Sequence, residues 1–335
     1  MAARLLKAPP NFFSIPFGLC GLAAVWRTMT DLHGTPAAVS AALFALAAGV
    51  WLILLAAAAG RITPAPRRLA EEVADPALSP FWALPAIVGM LLAVGLEPYA
   101  DGPARVTFLV FFAVTMLYGG WVSGQWIVGE LDPLKLHPGY VLPTVAGGFI
   151  GGEGCAVFGL AGLGWLSFGI GVVCWIMLGS IVLNRLLLVP TLPAPLVPTL
   201  AIELAPPAVG GIAYLQLHGP VADPIAYLFA GYAGLMALVQ LRLIPLYART
   251  PFSPAFWSLT FAWCAAAGLA IRWLAIEHPA QETLWATLAA ATASLLVIAI
   301  AARTVVDLRR GGFLPPDRTV IPLPTAERAD ASRPA

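Results

Sequence analysis

Residues 200–215 have the sequence LAIELAPPAVGGIAYL, and this stretch decides which kind of fold the chain can form. It lies in an apolar run from about 195 to 216, and about 20 helical residues at about 1.5 Å each cross a bilayer. Pro206 and Pro207 fall inside this run. Because proline removes a backbone hydrogen bond and clashes with the preceding turn, the run predicts a membrane-spanning helix with a kink.

Apolar runs of similar length recur along the chain. The predicted spans are 11–28, 36–59, 80–98, 104–128, 138–158, 161–187, 195–216, 223–246, 253–275 and 281–304. Hydrophobic residues make up 60% of the 335 positions and charged residues 10%, against about 45–50% and about 25% in soluble domains. We therefore predict an all-α integral membrane domain of ten helices over residues 1–308, and a disordered cytoplasmic tail over 309–335.

The basic residues are distributed unevenly between the predicted loops. With the N-terminus in the cytoplasm, 15 of the 18 Lys and Arg residues lie on the cytoplasmic side, and only Arg27, Arg105 and Arg272 lie opposite. Positive charge is enriched in cytoplasmic loops. The pattern predicts a multi-pass protein of the cell membrane with both termini cytoplasmic.

Prolines occur in alternate spans. They lie inside, or at the start of, each odd-numbered span, and the even-numbered spans have none in their interior. The prolines are Pro16, Pro85, Pro143, Pro206 with Pro207, and Pro254. Carbonyls freed by a kink must be satisfied by neighbouring protein or by water in a cavity. The alternation predicts five helical hairpins, with an inner ring of odd helices around a pore and an outer ring of even ones.

Four stretches in the odd spans resemble one known family. They are PPNFFSIPFGLCGLAAVW (9–26), HPGYVLPTVAGGF (137–149), the opening stretch, and PFSPAFWSLTFAW (251–263). The resemblance is to the tellurite-resistance and dicarboxylate transporter family, which includes the bacterial TehA proteins and the slow anion channels of plant guard cells. It implies anion conduction or transport through one pore per subunit of a homotrimer.

The resemblance also implies that a phenylalanine in the ninth span plugs the pore, and Phe261 aligns with it. Helix arithmetic places Phe261 about 14 Å from the cytoplasmic face, near the midplane of a core about 30 Å thick. The other candidates for pore-lining or kink positions share the odd spans. They are Ser14, Pro16, Gly18, Pro85, Pro143, Gly147, Gly148, Pro206 and Pro254. The glycines fit either an open lumen or close helix packing.

Two acids, Glu153 and Glu203, fall inside predicted spans. A carboxylate at the bilayer centre costs about 2.5–3.5 kcal/mol on insertion scales, so each is expected to face a cavity or a partner. One interpretation is a proton-titrating or substrate-contacting site. The other is a protonated acid bonded to a neighbouring helix. An ionised glutamate on a pore wall would repel anions.

Three functions follow from these patterns. The leading one is an anion channel or transporter for small inorganic anions or organic acids such as malate, with tellurite as a further candidate. The second is a proton-coupled carrier of dicarboxylates or oxyanions that uses Glu153 or Glu203. The third, a membrane-embedded enzyme, is weakly supported by Asp132, Lys135 and His137. We expect small anions and lipid as partners, and no cofactor, metal or nucleic acid.

Overall fold

The computed structural model describes residues 6–129 and 131–314. These residues form helices joined by short loops, with no β-strand in either range. Within them, nine helices are long and apolar enough to cross a membrane. They are Pro10–His33, Ala37–Ile62, Ser79–Leu96, Asp101–Val128, Ala161–Leu188, Ala194–His218, Pro224–Arg249, Pro254–Glu277 and Glu282–Arg309. Each overlaps one predicted span, and the predicted all-α membrane fold is confirmed.

The fifth predicted span is helical but divided. A 3-10 turn, Pro138–Val141, leads into a π-helical segment, Leu142–Ala146, and then into the α-helix Gly147–Val157. None of the three pieces is long enough alone to count as a span, although together they cover the predicted range. The predicted number of ten spans therefore stays a prediction.

Each of the other odd spans begins with a 3-10 segment that passes into an α-helix. The pairs are Pro10–Phe13 with Ser14–His33, Ser79–Ala83 with Leu84–Leu96, Ala194–Leu204 with Ala205–His218, and Pro254–Phe256 with Trp257–Glu277. The even spans are α-helices throughout, apart from their frayed ends. The short helix Arg67–Ala74 lies in the loop after the second span, where Arg61 contacts Glu72.

The prolines explain where these segments change. Pro85 is the second residue of its α-helix, Pro206 the second and Pro16 the third. In these first positions a missing N–H removes no bond of the α-helix itself. The carbonyls before the change accept tighter 3-10 bonds instead, as when the Ala205 N–H bonds the Ile202 oxygen. The kinks predicted from proline are therefore changes of helix type at the start of each α-helix.

Burial separates the odd spans from the even ones. Most residues of the first, third, seventh and ninth spans are buried, and fewer than a third of those in the even spans are. The odd spans also contact one another in a cycle: first with third, third with fifth, fifth with seventh, seventh with ninth, and ninth with first. Each even span packs mainly on the odd span before it.

The two ends of the described chain meet at one end of the molecule. The Phe313 ring lies 5.3 Å from that of Phe12 and 6.3 Å from that of Phe252, between ring centroids. Phe313 and Leu314 are buried by these contacts. We call this the terminal end, and the opposite one the far end. The predicted disordered tail covers 309–335, and its residues from 315 onward lie outside the part of the chain that the structure describes.

Candidate functional site

A first cavity, here called the apolar cavity, lies between all five odd spans. Its volume is about 30 Å³. Its only hydroxyl-bearing side chains are Ser14 and Ser258, and the rest of its lining is apolar. The apolar lining comprises Phe17, Phe81, Leu84, Val141, Leu142, Ala146, Phe149, Ile202, Ala205, Pro206, Val209, Phe261 and Ala262.

The apolar cavity lies where the five α-helices begin. Ser14, Leu84 and Ala205 are each the first residue of an α-helix. Ser258 is the second residue of its helix, and Ala146 directly precedes the helix Gly147–Val157. An α-helix carries a partial positive charge at its N-terminal end. Five such ends therefore surround a cavity whose side chains supply no formal charge.

Phe261 lies between this cavity and a second one, and both it and Val209 line the two cavities. Its ring stacks on Phe17 of the first span, with centroids 3.6 Å apart and planes 14° from parallel. Gly21 lies beside the pair, and a Cβ built there would come within 3.0 Å of the Phe261 ring. Two rings that are 6% and 7% exposed thus close the space between the cavities.

The second cavity, here called the charged cavity, lies on the far side of Phe261 and has a volume of about 40 Å³. It is also bounded by all five odd spans. The lining is Gly21, Ala24, Val25, Thr28, Leu91, Glu153, Val209, Ile212, Phe261, Cys264, Ala265, Gly268 and Arg272. Small residues dominate it, and Glu153 and Arg272 are its ionisable groups besides the Cys264 thiol.

Glu153 is the predicted acid that faces this path. Gln216 of the seventh span donates its Nε2 to the Glu153 Oε1 at 3.4 Å. From Ala146 onward, the residues of the fifth span that line the two cavities are Ala146, Phe149 and Glu153, which recur at helical spacing and so share one face.

Glu203 lies elsewhere. It lines a groove between the sixth, seventh and eighth spans, beside Tyr232 and the exposed Ile176, and its buried Oε1 has no hydrogen-bond partner. Neither cavity includes it. Its side chain therefore lies away from both cavities, and a role for it in transport stays a prediction.

Arg272 was missed by the sequence analysis, which treated it only as a loop-side charge. It lies 11 positions after Phe261 in the same α-helix. At 100° per residue this spacing returns to the same face within about 20°. The helical spacing from Phe261 was the signal that could have identified it.

The remaining predicted positions divide into two groups. Ser14 and Pro206 line the apolar cavity. Pro16, Pro85, Pro143 and Pro254 line neither cavity and mark the starts of helical segments.

Neither cavity includes the three predicted glycines, and each lies at a close contact between helices, the second of the two predicted roles. A Cβ at Gly18 would come within 1.8 Å of the Thr260 Oγ1, so this glycine joins the first and ninth spans. Gly147 faces Thr115 of the fourth span, and Gly148 faces Gly171 of the sixth. Glycine lets these backbones approach closely, which is the packing role that small residues play between membrane helices.

In the described residues of the loop before the fifth span, Asp132 and His137 have local structural partners. The Asp132 carboxylate accepts a bond from the Leu134 N–H, and the His137 Nδ1 accepts one from the Gly139 N–H. Both act as local caps of 3-10 turns. In the part of the chain that the structure describes, no three His, Cys, Asp or Glu side chains lie close enough to hold a metal ion.

These features define a helical membrane protein with two interior cavities, in line through five helices and separated by a pair of aromatic rings. The SLAC1 family model, described as voltage-dependent anion channel, matches residues 7–305. The chain therefore belongs to this family, and its resemblance to the TehA proteins and the plant channels is confirmed.

Individual relatives agree with this membership. The chain is 29% identical over 256 residues to the tellurite resistance protein TehA homolog of Haemophilus influenzae, which covers 76% of this chain and 77% of that one. It is 23% identical over 315 residues to the S-type anion channel SLAH3 of Arabidopsis thaliana, across 90% of this chain and 48% of that one. SLAH2 of the same plant is 24% identical over 324 residues, across 90% and 59%. The chain thus spans about half the length of the plant channels.

Proposed function

We propose that this protein conducts anions through a pore formed by its five odd-numbered spans, and that Phe261 is the gate. The observation that carries the proposal is that Phe261 lines both cavities and stacks on Phe17 between them. The cycle of contacts between the odd spans supports a ring around one axis. In this arrangement the even spans face the lipid, where their exposed apolar side chains are stable.

The lining of the apolar cavity suits a weakly hydrated anion. An apolar wall offers no ligand to replace a tightly held hydration shell, so entry favours ions that release water easily. The five helix starts around the cavity favour negative charge over positive charge. Candidate substrates are therefore small inorganic anions and small organic acids such as malate, and the name of the Haemophilus relative adds tellurite.

Phe261→Ala is the decisive test, with Phe256→Ala as the matched control. Phe256 lies one turn and a half earlier in the same span, packs against Phe252 and lines neither cavity. We expect larger anion currents from Phe261→Ala than from the parent protein, and parental currents from Phe256→Ala. Planar-bilayer or oocyte recordings at matched surface expression would measure both.

A gate and a packing residue give opposite results here. If Phe261 only filled a helix interface, its truncation would leave a cavity costing about 3–5 kcal/mol, with less folded protein and no gain of conductance. Equal currents from the parent protein and Phe261→Ala would show that Phe261 is not the gate.

A proton-coupled carrier is the second candidate, because Glu153 lies in the charged cavity. A carrier would couple uptake to a pH gradient, and Glu153→Gln would abolish the coupling because glutamine cannot titrate. In liposomes loaded at one pH and diluted into another, a channel lets the anion follow its own electrochemical gradient. Accumulation driven by the pH gradient alone would favour the carrier.

The assembly and orientation belong to the same proposal. We infer a homotrimer with one pore in each subunit, in the cell membrane, with both termini cytoplasmic. The exposed apolar side chains of the even spans give surfaces on which subunits and lipid can pack. Native mass spectrometry of detergent-purified protein would give the subunit number directly.

A further inference from the structure

Arg272 has an unusual environment within the charged cavity. Its Nε is buried and has no hydrogen-bond partner, and among the described residues no carboxylate lies within ion-pair distance of its guanidinium. The nearby Arg27 shows the contrast, since it pairs with Glu97 at 3.1 Å and with Asp31 at 3.5 Å. Arg27 is therefore paired within the protein, whereas the buried Nε of Arg272 has no acceptor there.

A buried guanidinium N–H without an acceptor is costly, because it has left water without gaining a hydrogen bond in exchange. An anion in the cavity would supply the missing acceptor. Guanidinium presents its N–H groups in a planar fork that matches two oxygens of one oxyanion. The shape of the Arg272 guanidinium therefore favours small oxyanions as ligands.

An oxyanion in this cavity would also meet the other polar groups around it. Glu153 lines the same cavity outside ion-pair distance of Arg272, and Gln216 donates to it from the seventh span. The second N–H of the Gln216 amide has no acceptor in the described chain. An ionised Glu153 would compete with an anion for the field of Arg272, and a neutral side chain at 153 would not.

We propose that Arg272 forms a binding site for a small oxyanion in the charged cavity, immediately beyond Phe261, and that Glu153 weakens the binding. The site deepens the proposed function, because it would hold the anion on the far side of the gate. It rests on that function for its role in conduction. Binding itself can be measured without any flux, which separates the two.

Nitrate is the probe, and purified full-length protein in detergent is the sample. The melting temperature is followed against nitrate concentration at constant ionic strength, with a bulky sulfonate as the balancing anion. The parent protein should show a saturable rise. Arg272→Gln should weaken the apparent affinity by about tenfold or more, because a hydrogen-bonded charge is lost. Glu153→Gln should strengthen it.

Two further variants make the result specific. Arg105→Gln removes an exposed arginine at the same end of the molecule that lines neither cavity, and it should bind nitrate as the parent does. Arg272→Lys keeps the charge and loses the fork, so it should bind more weakly than the parent. If Arg272→Gln does not fold, the comparison of Arg272→Lys with Arg105→Gln decides the matter.

The proposal is overturned if nitrate does not stabilise the parent saturably, or if it stabilises the Arg272 variants as well as the parent. Nitrate flux through Phe261→Ala in liposomes is measured in parallel. Binding that depends on Arg272, together with no flux, would refute the pore and leave the site. Nitrate flux together with nitrate binding that does not depend on Arg272 would refute the binding site and leave the proposed pore intact.

Discussion

At the scale of single residues, close approach of backbones determines which positions accept no side chain. Gly18 allows the first span to meet the ninth where Thr260 faces it, and both residues are next in sequence to the stacked pair Phe17 and Phe261. The hydroxyl of Thr260 is fixed by donating to the Trp257 oxygen at 2.6 Å, so it cannot easily turn aside.

Gly18→Ala should therefore destabilise the protein by about 1–3 kcal/mol, which is typical of overpacking a close contact. The matched control is Gly49→Ala in the second span, where a Cβ would meet nothing within 4 Å. That change should be neutral or slightly stabilising, because alanine favours helix over glycine. Thermal unfolding in detergent measures both. Equal melting temperatures for the two variants would contradict the contact.

His137 gives a prediction for pH. Its ring is fully buried against Phe81 and Tyr140, and burial lowers its pKa from 6.5 to about 4, outweighing the opposing influence of Ala77 and Asp75. Between these values the unfolded chain binds a proton that the folded chain does not. Stability from this group is therefore present above pH 6.5 and is lost as the pH falls toward 4.

His137→Asn keeps an acceptor for the Gly139 N–H but cannot take up a proton in this range. Melting temperatures of the variant should fall less than those of the parent between pH 6.5 and 4, the range set by the two pKa values. Parallel curves for the two proteins would show that this histidine does not contribute to acid sensitivity.

At the scale of elements, the seventh span contains the least regular helix. Its 3-10 segment, Ala194–Leu204, continues for 11 residues, whereas such runs rarely exceed three or four. The eighth span supports it from outside. Gln240, which is 1% exposed, donates its Nε2 to the Leu200 oxygen at 3.0 Å and accepts a bond from the Tyr247 hydroxyl at 2.5 Å.

Gln240→Leu should cost about 1–3 kcal/mol of stability, because the Leu200 oxygen and the Tyr247 hydroxyl both lose their partner in a buried place. Tyr247→Phe removes only one of the two bonds and should cost less. Hydrogen exchange of residues 194–204 would locate the effect. Unchanged exchange in Gln240→Leu would mean that the segment holds its conformation without this support.

The same segment explains why the sequence did not reveal where Glu203 faces. A 3-10 helix turns by about 120° per residue and an α-helix by about 100°, so the two phases diverge by about half a turn over nine residues. Glu203 lies near the end of the irregular segment, and its face could not be read from α-helical spacing. Glu153 and Phe261 lie in regular α-helix, where a spacing of 100° per residue identifies the neighbours that share a face with each of them.

At the scale of the whole molecule, the hydrophobic lengths predicted the spans well, because the bilayer sets one length for all of them. The fifth span is the exception, since its proline and glycines divide it into three helical types that no length rule anticipates. Phe261 was identified as a candidate gate through the family resemblance. Arg272 was missed because a basic residue near a span end is usually placed at the interface, and only its three-dimensional surroundings show the cavity.

The predicted orientation can be tested with single cysteines in a background that lacks the four native ones. Ala70 in the short helix at the terminal end and Ala280 in the loop at the far end are both exposed. A membrane-impermeant maleimide added to intact cells should label Ala280→Cys and leave Ala70→Cys unlabelled until the cells are opened. The reverse pattern would invert the topology.

The contact between Phe17 and Phe261 also has a consequence for biosynthesis. The first span leaves the ribosome long before its partner, so the face that carries Phe17 and Gly18 must wait in the bilayer while the intervening helices are inserted. Contacts between distant parts of a chain form late, after the entropy of closing the loop has been overcome. The ring of odd spans is therefore open until its last hairpin arrives, and the contact between Phe17 and Phe261 is among the final parts of the protein to form.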